Sequence, residues 1–225
     1  MGDVIILACK PQAVEALLSQ PEILDALEGK LLISICAGVT MDQLLDIVES
    51  RGKGTKNGQE PCCIVRAMPN TAAFIGQSST VISIPPRPLS PERATLVDWI
   101  FSRIGRVFYL PADKMDACTA LCGSGPAFVA VICEAMADGA VNNGIPRKEA
   151  LEMSAQVLKG AAEMILQGEH PAILKDKVCT PAGCTIAGLL ELEDGRVRST
   201  VARAVDKATL IASQLGQGTK SKTAR

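Results

Sequence analysis

Residues Val178–Leu192 read V-C-T-P-A-G-C-T-I-A-G-L-L-E-L, small and hydroxyl residues running directly into a helix-like apolar pattern. Thr180, Pro181, Gly183 and Thr185 permit a tight turn there. The helix that follows would aim its first unpaired N–H groups and the positive end of its dipole at whatever the turn encloses. A small carboxylate suits such a place. A turn of this kind is also an ordinary way to start and cap a helix, so the stretch gains weight from two companions. One is a second glycine-rich helix start, Gly123-Ser124-Gly125-Pro126-Ala127-Phe128. The other is Arg66-Ala67-Met68-Pro69-Asn70-Thr71, which leaves an apolar strand-like run.

Outward from these blocks, residues 4–110 alternate short β-branched runs with helical patterns. Val4–Leu7 precedes a helix over Gln12–Leu18, and Leu31–Ile35 precedes one over Met41–Val48. Further strands are expected at Cys63–Ala67, Thr80–Ile84 and Val107–Leu110, with a helix from Pro91 to about Arg103. This is the pattern of an α/β domain. The polar, glycine-rich stretch between Glu49 and Pro61 is longer than most helix-to-strand connections and is expected to be a mobile loop. From Asp113 onward strand-like runs vanish. Helical segments at about Ser124–Asn143, Pro146–Leu166 and Arg196–Leu215 make residues 113–225 an all-helical unit after an α/β unit of residues 1–112. Phe128–Ala140 is apolar around most of a helix circumference, so it calls for burial on several sides, in this chain or against a partner.

The chain has 225 residues, 48% of them apolar, and a formal charge of −1. It can bury one large core or two modest ones, and it carries no field that attracts nucleic acid or anionic membrane as a whole. The basic end, Lys220–Arg225, reads as a solvated tail. Nine cysteines stand at 9, 36, 62, 63, 118, 122, 133, 179 and 184 without a C-x-x-C pair, and there is one histidine, His170. They read as small buried hydrophobes in a reducing compartment rather than as a metal site, with Cys62 and Cys63 on opposite faces of a strand. No uninterrupted apolar run approaches the ~20 residues of a membrane span, so no membrane association is expected.

Taken together, A-C-K-P (8–11), C-A-G-V (36–39), R-A-M-P-N-T (66–71), C-G-S-G-P-A-F (122–128) and C-T-P-A-G-C-T-I (179–186) resemble the motifs of the pyrroline-5-carboxylate reductase family, from Val4 to about Leu215. The last of the five is the specific one. The resemblance implies a Rossmann-like α/β domain followed by an all-helical dimerisation domain, a homodimer or a ring of dimers, and NADPH or NADH as cofactor. Members of this family begin with a strand, a G-x-G-x-x-G turn and a helix that hold the cofactor pyrophosphate. Here Met1-Gly2-Asp3 leads straight into Val4–Leu7, which looks like a middle strand, and no G-x-G-x-x-G occurs. The Rossmann-like domain is therefore expected to be incomplete at its N-terminus. A cytoplasmic protein is expected, with mitochondrial or plastid origin left open by the same missing segment.

Residue by residue, the resemblance puts Cys9, Lys10 and Pro11 along the nicotinamide ribose and phosphate side, with Lys10 donating to oxygens. It brings the nicotinamide past Cys36 and Ala37. Asn70 is a cofactor-side residue that can equally bridge loops through its amide, and Arg66 is expected to pair with a nearby carboxylate. Ser124 is expected to cap the helix begun by Gly125-Pro126, close to substrate. Thr185 is the catalytic candidate, lending its hydroxyl to the substrate ring nitrogen, while the N–H groups of Gly183 and Cys184 hold the substrate carboxylate. Ala182 stands where the family commonly has glycine, which tests whether the turn needs positive φ there. Lys177 is placed to approach a cofactor phosphate. His170 is expected to order the corner before a short helix.

The reaction implied is NAD(P)H-dependent reduction of 1-pyrroline-5-carboxylate to L-proline. Such a reaction asks for orientation more than for a side-chain acid, because a protonated carbon–nitrogen double bond already accepts hydride. Two alternatives stay open: a non-catalytic assembly subunit or truncated isoform that keeps the helical half, and a related two-domain dehydrogenase of another small acid.

Overall fold

The structure, a computed structural model, describes residues 3–51 and 61–215. The expected loop before Pro61 and the basic tail fall largely or wholly outside the described residues. Five short apolar runs pair into one sheet in the order β1-β2-β3-β4-β5: β1 (Val4–Leu7), β2 (Leu31–Ser34), β3 (Cys63–Met68), β4 (Ser78–Ser83) and β5 (Gly105–Leu110). β1, β2 and β3 are parallel, with Leu7 opposite Ser34 and Ser34 opposite Arg66. β4 runs antiparallel to β3, and β5 is parallel to β4. The reversal at β4 follows from chain length, because a parallel return needs a crossover of a dozen or more residues. Only a 3₁₀ turn, Thr71–Ile75, closed by Gly76 at φ 69°, connects β3 to β4.

Strand side chains alternate between two cores. Leu7, Leu32 and Ile64 face α1 (Val14–Leu18), α2 (Pro21–Leu27) and α3 (Met41–Arg51). Ile33, Val65 and Ile82 face Val97 and Phe101 of α4 (Pro91–Ser102). Cys62 and Cys63 divide between these two clusters, as their alternation requires. Leu32 and Ile33 are fully buried, and each contributes roughly 1.5–3 kcal/mol by leaving water. A reciprocal pair of bonds starts α3: Thr40 N–H donates to Gln43 Oε1 (2.8 Å), and Gln43 N–H donates to Thr40 Oγ1 (3.2 Å), a capping box. Of the expected first-half helices, the stretch before Leu18 begins as a 3₁₀ turn, Pro11–Ala13. The short α2, opened by Pro21, was not expected at all.

After β5 the chain is helical. A 3₁₀ turn (Ala112–Lys114), α5 (Met115–Cys118), a π-helical stretch (Thr119–Gly123) and α6 (Gly125–Asn142) follow one another as one long helical run. Beyond them come α7 (Arg147–Leu166), α8 (Pro171–Val178), α9 (Cys184–Asp194) and α10 (Val197–Leu215). By packing, the chain forms two compact units, one of residues up to Pro126 together with those from Val205, the other Ala127–Ala204. The compositional boundary at residue 112 marks where strands end. The first unit extends past it because Met115 and Cys118 pack on Met68 and Val81 of the sheet.

The second unit buries little. Ala137 and Ala150 are enclosed, whereas Val131, Val157 and Leu190 are each more than half exposed. The 31-residue run Ala112–Asn142 is long and apolar enough to cross a membrane by length and composition alone, with mean hydropathy 1.6 in its apolar window, of which 11% is buried. Isolated Asp and Glu residues interrupt the run and hid this property from a reading based on unbroken apolar stretches.

Gly105 opens β5 at φ 151°, and a Cβ there would lie 2.0 Å from the carbonyl oxygen of Ser78 and 2.4 Å from its nitrogen. Neither backbone atom can move without breaking the β4–β5 register. Gly105→Ala is expected to cost upward of about 3 kcal/mol, measured by denaturant unfolding of the two proteins.

Candidate active site

Because β1, β2 and β3 share one polarity, the turns that leave them gather at one edge of the sheet, the usual ligand crevice of open α/β folds. After β1, Lys10 takes an extended conformation (φ −62°, ψ 141°) and precedes the 3₁₀ turn opened by Pro11. Its side chain is exposed and no carboxylate among the described residues pairs with it. After β2, the Cys36 thiol is buried and donates to the carbonyl oxygens of Cys9 (3.2 Å) and Leu7 (3.5 Å). Burial pushes this thiol's pKa up, so it keeps the proton it donates. Cys36 and Cys9 therefore stitch β1 to β2, and the Cys36 side chain is not free for a ligand. Ala37 is half-buried and Gly38, buried, turns the chain at φ 76°.

After β3, Asn70 makes three hydrogen bonds. Its N–H donates to Ser78 Oγ (3.1 Å), its Oδ1 accepts from Ala72 N–H (3.0 Å), and its Nδ2 donates to the Cys122 carbonyl (3.0 Å). The amide bridges loops, as one of its two expected roles required. Cys122 lies in the π-helical stretch, where Ser124 N–H reaches back five residues to Thr119 O (3.1 Å). Ser124 itself has helical dihedrals (φ −88°, ψ −21°) and no capping bond to a helix N–H. The expectation that it caps the helix is thus corrected, whereas α6 does begin at Gly125: Ser124 is the bend between the π-helical stretch and α6. Such π-bulges frequently mark functional sites.

Arg66 departs from expectation too. It is 3% exposed, its Nη2 has no hydrogen-bond partner, and among the described residues it forms no ion pair. Desolvation pulls its pKa down, with the charge of Asp116 on α5 opposing the shift.

In the second unit, the turn that opens the sequence reading has the expected geometry. Gly183 N–H donates to Thr180 O (3.0 Å), closing a four-residue turn. Proline fixes φ near −65° at its second position, and Ala182 holds φ 58° at its third, the signature of a type II turn. A Cβ on Gly183 would lie 2.4 Å from Thr180 Oγ1 and 3.1 Å from Thr180 O, so a side chain there would force Thr180 to shift. Gly183 then precedes α9 in extended conformation (φ −77°, ψ 166°), with no side-chain cap. The N–H groups of Cys184, Thr185 and Ile186 are the first of the helix and have no intrahelical acceptor. Thr185 is half-buried and Cys184 exposed. A carboxylate meets both the unpaired donors and the helix dipole there.

His170 caps α8, its Nδ1 accepting from Ala172 N–H (3.2 Å) ahead of Pro171, which is the ordering role expected of it. Lys177 forms an ion pair of 2.5 Å with Glu169. Glu169 gave no sequence signal beyond its place beside His170.

Left-handed φ at a residue with a Cβ costs about 1–2 kcal/mol. Ala182→Gly should therefore stabilise the protein by about 1 kcal/mol, and Gly183→Ala should destabilise it by more, both read as shifts in chemical denaturation midpoint.

Comparison with known proteins agrees with this geometry. Residues 112–215 match the family described as pyrroline-5-carboxylate reductase dimerisation, and residues 1–38 match the family described as NADP oxidoreductase, coenzyme F420-dependent. The pyrroline-5-carboxylate reductase of Lophium arboricola is 56% identical over 217 residues, spanning 96% of this chain and 68% of the relative. That of Schizosaccharomyces pombe is 46% identical, spanning 96% and 73%. The crystal structure of Plasmodium falciparum pyrroline carboxylate reductase with NADP bound superposes with TM-score 0.83 at 32% identity, covering 95% of this chain and 77% of that one. With its strand-end turns, its Thr180–Ile186 turn and these relatives, the chain belongs to the pyrroline-5-carboxylate reductase family.

Proposed function

We propose that this protein reduces 1-pyrroline-5-carboxylate to L-proline with NAD(P)H, acting as a homo-oligomer. The observation that carries the reading is the uncapped N-terminus of α9 behind a turn built on a strained Ala182 and a glycine where a side chain would press on Thr180. Strain of this sort persists where a site needs the geometry. The N–H groups of Cys184, Thr185 and Ile186 suit the substrate carboxylate, and the Thr185 hydroxyl, one residue into the helix, suits the ring nitrogen.

The residues of the sheet edge fit the nicotinamide half of the cofactor. Lys10, without a carboxylate partner among the described residues, offers an ammonium for phosphate, and half-buried Ala37 offers backbone without bulk for a flat ring. The dinucleotide, when bound, supplies the hydride. What this chain's residues contribute is position: the backbone donors fix one end of the substrate and Thr185 fixes the nitrogen, which keeps its proton while the neighbouring ring carbon gains the hydride. Orientation of this type can lower a barrier by several kcal/mol without a side-chain acid.

An oligomer is favoured by the match of residues 112–215 to a dimerisation family together with the apolar, exposed surfaces of α6, α7 and α9. We assign that surface to a second copy of the chain, as a dimer or a ring of dimers.

The test is to follow NADPH and NADH oxidation by the purified chain with 1-pyrroline-5-carboxylate. Turnover is expected, and Thr185→Ala should lower kcat about a hundredfold, the scale of losing one orienting donor at a reacting centre. A folded oligomer without turnover, or a Thr185→Ala protein as active as the unaltered one, would sink the proposal.

A further inference from the structure

Pro126 lies in the first turn of α6, where it has no N–H to give. In a regular helix the carbonyl of residue 122 would accept from the N–H of residue 126, so proline removes the donor that belongs to Cys122 O. Its ring would also press on that carbonyl. The helix answers with a π-turn over Thr119–Gly123. The donor that proline withholds comes from outside the helix: Asn70 Nδ2 reaches the Cys122 carbonyl at 3.0 Å.

Asn70 can do this because its other groups are fixed. Its Oδ1 holds Ala72 N–H (3.0 Å) and its own N–H is held by Ser78 Oγ (3.1 Å). Ser78, 2% exposed, is in turn bonded to Thr80 Oγ1 (3.0 Å). A second contact runs alongside, between Ser79 Oγ and Cys122 Sγ (3.5 Å). The π-turn is thus tied to the ends of β3 and β4, and Ser124 follows it by one residue.

We infer that Asn70 is a positioning residue: it replaces the helical donor that Pro126 lacks and so fixes the π-turn, and with it Ser124, over the sheet edge where the nicotinamide turns lie. The role rests on its Nδ2 bond to the Cys122 carbonyl and its Oδ1 bond from Ala72 N–H, not on contact with cofactor. This rests on the reductase reading above, and its test is built to fail separately.

The test is a double-mutant cycle of Asn70→Ala with Pro126→Ala, since alanine at 126 restores the N–H that Cys122 needs. Asn70→Ala alone is expected to lower kcat about a hundredfold, the effect of a misplaced site, with KM for NADPH changed less than about twofold. In the Pro126→Ala background the same substitution should cost less than about threefold, and denaturation midpoints should show the same shrinkage. Asn70→Asp, which keeps the acceptor for Ala72 but loses the donor, should behave as Asn70→Ala does. An equal penalty in both backgrounds, or a raised KM for NADPH with kcat kept, would overturn the inference. If the unaltered chain shows no turnover, the functional reading fails, and the denaturation cycle alone decides the positioning role: a midpoint unmoved by Asn70→Ala contradicts it.

Discussion

The site depends first on the shared direction of β1, β2 and β3. Parallel pairing in register sends Cys9-Lys10-Pro11, Cys36-Ala37 and Pro69-Asn70 out of the same edge of the sheet. The pairing is held by burial on both faces, with Leu32 and Ile33, adjacent in sequence, facing opposite cores. One local bond refines it. The buried Cys36 thiol reaches carbonyl oxygens at the end of β1, so two of the three turns are fixed relative to each other before any ligand arrives.

The helical unit depends on a different constraint, the conformational cost of a sharp turn. Thr180–Gly183 reverses the chain so that α9 begins, among the described residues, with three N–H groups that no side chain caps. A capped helix would be more stable and could not receive a carboxylate there. Ala182 at φ 58° raises the cost further, and the surrounding helices must over-determine the turn for it to persist.

Much of this was legible in the residues, and the exceptions have physical causes. Strands, the four long helices of the second half and the Thr180–Ile186 turn follow from periodicity and turn chemistry, which are local. The antiparallel β4 is a matter of pairing partners, and α2 is seven residues behind a proline with weak periodicity. Gly123-Ser124-Gly125-Pro126 reads as a helix start because proline favours the first turn. α6 does begin at Gly125; what the residues did not announce is the π-turn over Thr119–Gly123 ahead of it, whose Cys122 carbonyl meets Asn70, fifty-two residues away in sequence. Nothing in the neighbourhood of Lys177 announces that Glu169 will reach it. Arg66 was expected to find a carboxylate, and β3 buries it where Asp116 acts only through its field.

The central claim is that the N-terminus of α9 receives the carboxylate of the substrate and product. Hydrogen–deuterium exchange of the amides of Cys184, Thr185 and Ile186, with and without L-proline and oxidised dinucleotide, tests it directly. The account predicts that these three amides slow severalfold on addition of proline while those in the middle of α9 do not change. Exchange at the three amides that is indifferent to proline, in a protein whose other regions respond to it, would contradict the account.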